Sequence, residues 1–308
     1  MYILMKCLSF LLCHLPLSWS HAFGRWLGHF FWAFVPKKRK LLAQRQILDC
    51  AITDDPDEAM AIGKASALRF GPMIVEVLLF PRYRGREKLR EIVEIRGREY
   101  LDPLIENPAG GVFMASHAGN WELLGAVMAT EGLRLISVAQ EQNNAGADRF
   151  INEYRQMQKQ HVTYKTGIRD MIRFLRDGYY IGLLMDQDPG YAGIMVKLFG
   201  KDTLTADGPA KFAVLGNYPV VPVFIHEDRP YHHCIEVLPP VYPFACDKEY
   251  TKEEKKERTY SLTQELNLIL ENRIRTYPED WFWLHNRWKW TDRYKAKKAG
   301  KNEKENSI

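Results

Sequence analysis

At 308 residues, with 46% hydrophobic and 26% charged side chains, the chain carries enough apolar mass for one large core or two small ones, which excludes disordered and fibrous classes. Its five cysteines, Cys7, Cys13, Cys50, Cys234 and Cys246, show neither paired nor metal-type spacing, which argues against a disulfide framework and for a reducing compartment. The formal net charge of +5 is modest, but cations cluster at residues 37–40, 82–98 and 295–304. Such patches suit phosphorylated lipid, an anionic membrane surface or an acidic carrier protein, whereas no recognition motif for nucleic acid accompanies them.

Residues 3–35 are apolar and aromatic, interrupted by Lys6, Pro16 and Arg25. A bilayer crossing needs about 20 mostly apolar residues, so the segment reads either as one imperfect span or as an interfacial anchor. No small-residue cleavage site follows it. The basic run at 37–40 comes next and, by the positive-inside rule, keeps the following domain on the cytoplasmic side. Residues 41–80 carry a helical pattern broken where Thr53, Asp54, Asp55 and Pro56 mark a new helix start. Alternating charge fills residues 82–100, with Ile92, Val93 and Ile95 predicting a strand, and residues 100–106 begin another helix.

The stretch the chain is arranged around is residues 111–125. Val112 to Ala115 form a short apolar run behind Gly110 and Gly111, which predicts a buried strand, while Trp121, Leu124, Val127 and Met128 recur at helical spacing. Strand, turn and helix follow. Asn120 is placed to cap the helix, and Glu122 lies in its first turn, at the positive end of the dipole. With His117 at the strand end, the Glu122 carboxylate can accept from one imidazole nitrogen and leave the other as a base. No nucleophile of the chain's own accompanies them, so the pair suits activation of a substrate hydroxyl.

Beyond it, residues 134–139 predict a second strand, 140–144 a polar loop containing Glu141, and 147–159 a helix carrying Arg149 and Arg155. Residues 162–165 predict a short strand and 167–177 a helix. The near-continuous apolar run at 179–185 has the character of a buried parallel strand and ends in Asp186, Gln187 and Asp188. This Asp-x-Asp can hold a divalent metal, as in a nucleotide-sugar transferase, or shape a pocket without one. Asp207 is placed to cap a helix with Pro209 in its first turn, residues 217–225 predict another buried strand, and 232–238 pair beside it. His226, His232 and His233 make no zinc set by spacing. Residues 251–277 form a long helix stopped by Pro278. The Trp-rich segment 278–289, with His285 and Arg287, suits a membrane interface and core packing equally. Residues 291–308 read as a basic disordered tail.

His117, Ala118, Gly119, Asn120, Trp121 and Glu122 resemble the first motif of the lysophospholipid acyltransferase superfamily, and specifically its lipid A biosynthesis (lauroyl/myristoyl) acyltransferase branch. Residues 186–188, 193–210 and 278–289 follow in that branch's order; residues 49–54 depart from its pattern. Strands alternating with helices from residue 100 to 240 argue for one α/β domain with a mostly parallel central sheet flanked by helices, which is expected to occupy residues 37–290 behind an N-terminal membrane-anchoring helical segment at 1–36. The resemblance implies His117 and Glu122 as the catalytic pair. Gly119, Asn120, Glu141, Arg155, Asp186, Gln187 and Asp188 would border the substrate pocket, without a metal or cofactor. The acyl donor would be acyl carrier protein and the acceptor a Kdo-bearing lipid A precursor, in lipopolysaccharide biosynthesis at the cytoplasmic side of a bacterial inner membrane. A glycerolipid acyltransferase would use similar chemistry, but its usual His-x4-Asp and Glu-Gly-Thr-Arg elements do not occur here. A membrane adaptor without catalysis would explain the aromatics but not polar residues gathered at strand ends.

Overall fold

The computed structural model describes residues 1–164, 167–245 and 249–305, with side chains to residue 299; Lys165 and Cys246 lie outside them. The chain opens with five helices, α1 (Tyr2–His14), α2 (Leu17–Phe34), α3 (Lys37–Asp49), α4 (Pro56–Leu68) and α5 (Phe70–Leu78). After the short α6 (Arg86–Arg90), strands and helices alternate: β1 (Val93–Arg96), α7 (Arg98–Glu106), β2 (Gly111–Ala115), α8 (Trp121–Glu131), β3 (Leu135–Ala139) and α9 (Ala145–Met157). Next come β4 (His161–Tyr164), α10 (Ile168–Arg176), β5 (Tyr180–Leu184), the hairpin of β6 (Ile194–Leu198) and β7 (Lys201–Thr205), and α11 (Gly208–Gly216). β8 (Val220–Arg229), β9 (His232–Val237), α12 (Lys252–Thr276) and α13 (Lys289–Glu305) complete the chain.

The main sheet has the order β1-β9-β8-β2-β5-β3-β4. β8, β2, β5, β3 and β4 run parallel, while β9 is antiparallel to β8 and carries β1 alongside it. The sheet is therefore mostly parallel, as expected. β2 lies at its middle because its alternate residues feed two cores. Phe113 and Ala115 pack with α8, α5 and α1 residues such as Leu123, Val75 and Leu12, and Val112 and Met114 pack with Ala210 of α11 and Leu266 and Leu270 of α12. A strand covered on both faces must be apolar throughout, which is what residues 111–115 are. From β2 the chain crosses one way to β3 and β4, returns to β5, then passes to β8 on the other side. The carboxyl end of β2 thus sits where the winding reverses, the usual crevice for a site in an open α/β sheet.

The N-terminal segment is two helices, broken at Leu15 and Pro16, and not one span. Among the described residues no helix is long and apolar enough to cross a membrane. Nor is the segment set apart at residue 36. Leu12 is buried in the main core, Ser9 donates to the Leu78 carbonyl, and Tyr154 of α9 donates to the Ser9 hydroxyl at 2.6 Å. The face of α2 bearing Gly24 and Gly28 lies so close to α5 that a Cβ on Gly71 would stand 2.2 Å from the Gly24 carbonyl. Its other face leaves Trp19, Trp26, Phe30 and Phe34 exposed, with Phe23, Trp26, Phe30 and Phe34 stepping along it at ring separations of 4.8–5.7 Å.

Two local expectations are corrected. Asp207 does begin α11, but its carboxylate caps nothing and instead pairs with Lys211 at 2.9 Å. Residues 289–305 are helical, not disordered: α13 is tied at its start by Trp288, which donates to Thr203, and Lys295 pairs with Asp202.

Candidate active site

The site is built by strand register. Ala115 of β2 pairs directly with Leu184 of β5, so the residues two places beyond each, His117 and Asp186, leave adjacent strands side by side. Asp186 accepts at one oxygen, Oδ1, from the His117 amide at 3.0 Å and pairs with its Nδ1 at 2.8 Å. Its Oδ2 accepts from the indole Nε1 of Trp281 at 2.9 Å. Asp186 is 1% exposed. Burial alone pushes its carboxyl up, but the His117 imidazole and the donors around it win and hold it below the usual carboxylate range. A buried anion on Nδ1 fixes the imidazole tautomer and orientation, leaving Nε2 as the base. This corrects the expected pairing, in which Glu122 oriented His117.

Glu122 faces Arg155 instead. The guanidinium forks onto the carboxylate, with Nε at 2.8 Å from Oε2 and Nη2 at 2.6 Å from Oε1, and Nη1 reaches Asn152. Arg155 has therefore spent its fork inside the protein, binding α8 to α9, and is not free to fork onto a substrate phosphate. Gly119 and Asn120, expected at the pocket, hold the turn. Gly119 has a φ of +63°, and a Cβ there would stand 2.2 Å from the Ile225 carbonyl of β8. Asn120 is 2% exposed; its Oδ1 accepts from the Leu123 amide, the predicted cap, and its Nδ2 donates to buried Glu76 at 2.7 Å. Glu76 in turn meets His233 Nε2 at 2.9 Å. Glu141 is exposed just past β3, while Gln187 is half-buried between the two aspartates.

The Trp-rich segment closes the site, a role that composition left undecided between interface and core. Ala118 bridges Trp281, and the Gly119 amide donates to the Asp280 carbonyl. The Asp188 amide donates to His285 Nε2 at 3.1 Å, and Asp188 itself accepts from the Gly190 and Trp290 amides. Burial lowers the His285 pKa, consistent with a neutral ring that accepts. Arg287 is fully buried, donates to the Leu204 carbonyl and the Thr205 hydroxyl, and is brought down to about 10 by that burial. Beside His117 lies a partly exposed aromatic cluster that sequence reasoning missed: Trp121 edge-on at 5.0 Å, then Phe70, then Phe282. Its members are 51 and 161 residues from Trp121 by their numbering, and no spacing signal joins them.

Every oxygen of the Asp186 and Asp188 carboxylates already accepts a hydrogen bond from the chain, which disfavours their use as metal ligands. Among the described residues, His226, Cys234 and Glu236 bring ligand-type atoms within 4.8 Å of one another. Arg273 already sits on that group, with Nη2 at 3.0 Å from His226 Nδ1 and Nη1 on Glu236, so a guanidinium supplies the positive charge there.

The family model for the bacterial lipid A biosynthesis acyltransferase matches residues 2–290. The chain is similar to lipid A biosynthesis acyltransferase 2 of Shigella flexneri, at 23% identity over 268 residues, covering 85% of this chain and 79% of that one. It is also similar to the phosphatidylinositol mannoside acyltransferase of Mycolicibacterium smegmatis, at 24% identity, covering 76% and 74%. A crystal structure of the 1-acyl-sn-glycerophosphate acyltransferase of Thermotoga maritima aligns with a TM-score of 0.35 and 14% identity, covering 76% of this chain and 95% of that one.

Proposed function

The chain belongs to the bacterial lipid A biosynthesis acyltransferase family, and from that premise we propose that it moves a fatty acyl chain from acyl carrier protein to a hydroxyl of a Kdo-bearing lipid A precursor. The observation that carries this reading is the 2.8 Å contact of His117 Nδ1 with buried Asp186, which leaves the second imidazole nitrogen to serve as a base. Nε2 of His117 takes the proton of the acceptor hydroxyl as its oxygen attacks the thioester carbonyl. Asp186 stabilises the imidazolium. Collapse of the tetrahedral adduct expels the carrier thiolate, which recovers the proton from His117, so ester and free thiol leave and no acyl-enzyme forms. Glu122 acts at one remove, pinning Arg155 and thereby the start of α8. The cluster of Phe70, Trp121 and Phe282 offers apolar contact to the acyl chain. No cofactor or metal is required. The exposed aromatics of α2 seat the protein on the inner membrane as an interfacial anchor, with the site on the cytoplasmic side.

The test is incubation of purified protein with acyl carrier protein bearing a radiolabelled acyl chain and the Kdo-lipid A precursor, followed by analysis of the labelled lipid. Wild type should label the precursor and His117→Ala should not; near-normal transfer by that variant would sink the mechanism. The phosphatidylinositol mannoside acyltransferase relative, at 24% identity against 23%, makes that glycolipid the competing acceptor to include. Label appearing in phosphatidate when lysophosphatidate is supplied would move the reading to glycerolipid acylation, and loss of activity with a chelator would restore a metal role for the Asp-x-Asp.

A further inference from the structure

Residues far apart in sequence build a second polar site. The start of α3 and the start of α13 enclose an open groove of about 600 Å³, lined by Lys38, Arg39, Arg45, Lys289 and Arg293. Among the described residues no acidic side chain lines it. Among the described residues the one ion pair made by a lining cation is that of Arg45 with Asp49 at 3.6 Å, an aspartate that also pairs with Lys201, while Arg39 donates to the Leu284 carbonyl and Lys289 and Arg293 lie against the Trp290 ring. Five cations with one loose acidic partner, in a concavity the size of a ligand pocket, are arranged for a multiply charged anion.

Two features say which anion. Leu41, 47% exposed, stands in the groove wall, and the groove lining begins at Lys38, four residues after Phe34, where the exposed aromatic row of α2 ends. An apolar row running into a cationic hollow matches a lipid lying at the interface with its charged head turned inward. A flat protein partner would not need the hollow. Neighbours of the groove lining reach the candidate active site: Trp290, next to Lys289, donates its amide to Asp188, and Leu284, whose carbonyl accepts from Arg39, adjoins His285.

We propose that this groove binds the phosphate-bearing headgroup of a membrane lipid. That the lipid is the acyl acceptor rests on the proposed acyl transfer; that the groove takes a phosphate headgroup does not. The test is flotation of the full chain with phosphatidylcholine vesicles, with and without 20% phosphatidic acid, at fixed ionic strength, since that fraction supplies the probe phosphomonoester (roughly a fifth of headgroups). The readout is the increment in binding that phosphatidic acid adds, which removes the apolar contribution of α2. The triple variant Lys38→Gln, Lys289→Gln, Arg293→Gln should lose that increment by about tenfold or more, and each single variant by about threefold. A control triple of equal charge change on exposed α12, Lys252→Gln, Lys255→Gln, Lys256→Gln, should stay within about twofold. Equal loss in both triples, or none in the groove triple, overturns the proposal. So does a groove triple that keeps vesicle binding but loses capture by acyl carrier protein, which would make the groove a protein dock. Because no arm reads acyl transfer, failure here leaves the enzymatic reading standing, and failure of that reading leaves this one testable.

Discussion

At the scale of single residues, the chemistry depends on which carboxylate faces His117. Asp186→Asn keeps the shape of the buried side chain but presents an amide to Nδ1, favouring the wrong imidazole tautomer; kcat should fall by about 10³-fold or more in a protein that still folds by circular dichroism. Glu122→Gln should cost less and act through Arg155. Combined with Arg155→Met, it should give a loss well short of the product of the two single losses, because both break one contact. Equal damage from Asp186→Asn and Glu122→Gln, with independent effects of Glu122 and Arg155, would return Glu122 to the role that sequence reasoning assigned it. That assignment failed for a physical reason. Six consecutive residues made His117 and Glu122 look like neighbours, whereas the turn aims them apart and the strand pairing of Ala115 with Leu184 brings in a carboxylate 69 residues away. The aspartate motif was visible in the sequence; its hydrogen bond was a property of register, which a single strand does not carry.

Elements with local signals were legible and elements defined by contact were not. Asn120 caps α8, and Thr251 with Glu254 forms a capping box on α12, both within a few residues of the helix they start. The β6–β7 hairpin turns at Phe199 and Gly200, both with positive φ, and Phe-Gly lacks the Asn-Gly or Asp-Gly signature by which such turns are recognised. Likewise the helical form of residues 289–305 rests on partners in β7 and not on its own lysine-rich composition. The packing of α2 yields the prediction that belongs here. Gly71→Ala would drive a methyl into the Gly24 carbonyl and the Gly28 backbone, so it should destabilise by about 3 kcal/mol and lower Tm by roughly 5 °C or more. Differential scanning fluorimetry reads the first effect, and faster proteolysis near Arg25 reads the loosening of α1 and α2. An unchanged Tm would mean that the two helices are not held by this contact.

For the molecule as a whole, the mostly parallel α/β class followed from apolar runs alternating with helical patterns, while the strand order, with β5 inserted between β2 and β3, did not. What joins the N-terminal helices to the sheet also sets an acid limit. His21 of α2 stacks on Tyr231 in the β8–β9 turn at 3.3 Å, and burial lowers its pKa to about 4. In the unfolded chain it takes a proton near 6.5, so between 6.5 and 4 the unfolded chain holds more protons and stability falls as pH drops. This residue should account for about 3 kcal/mol across that window, and His21→Phe should flatten that limb of a urea-melt series; an unchanged slope would show that His21 is protonated in the fold. The closing segment has a further consequence, in time. Trp281 and His285, which complete the surroundings of His117 and Asp186, are made after them. At cellular rates the stretch from 117 to 281 takes on the order of 10–30 s to synthesise. The aromatic helices leave the ribosome before this segment, so on the proposed reading delivery to a lipid surface would precede competence to act on it.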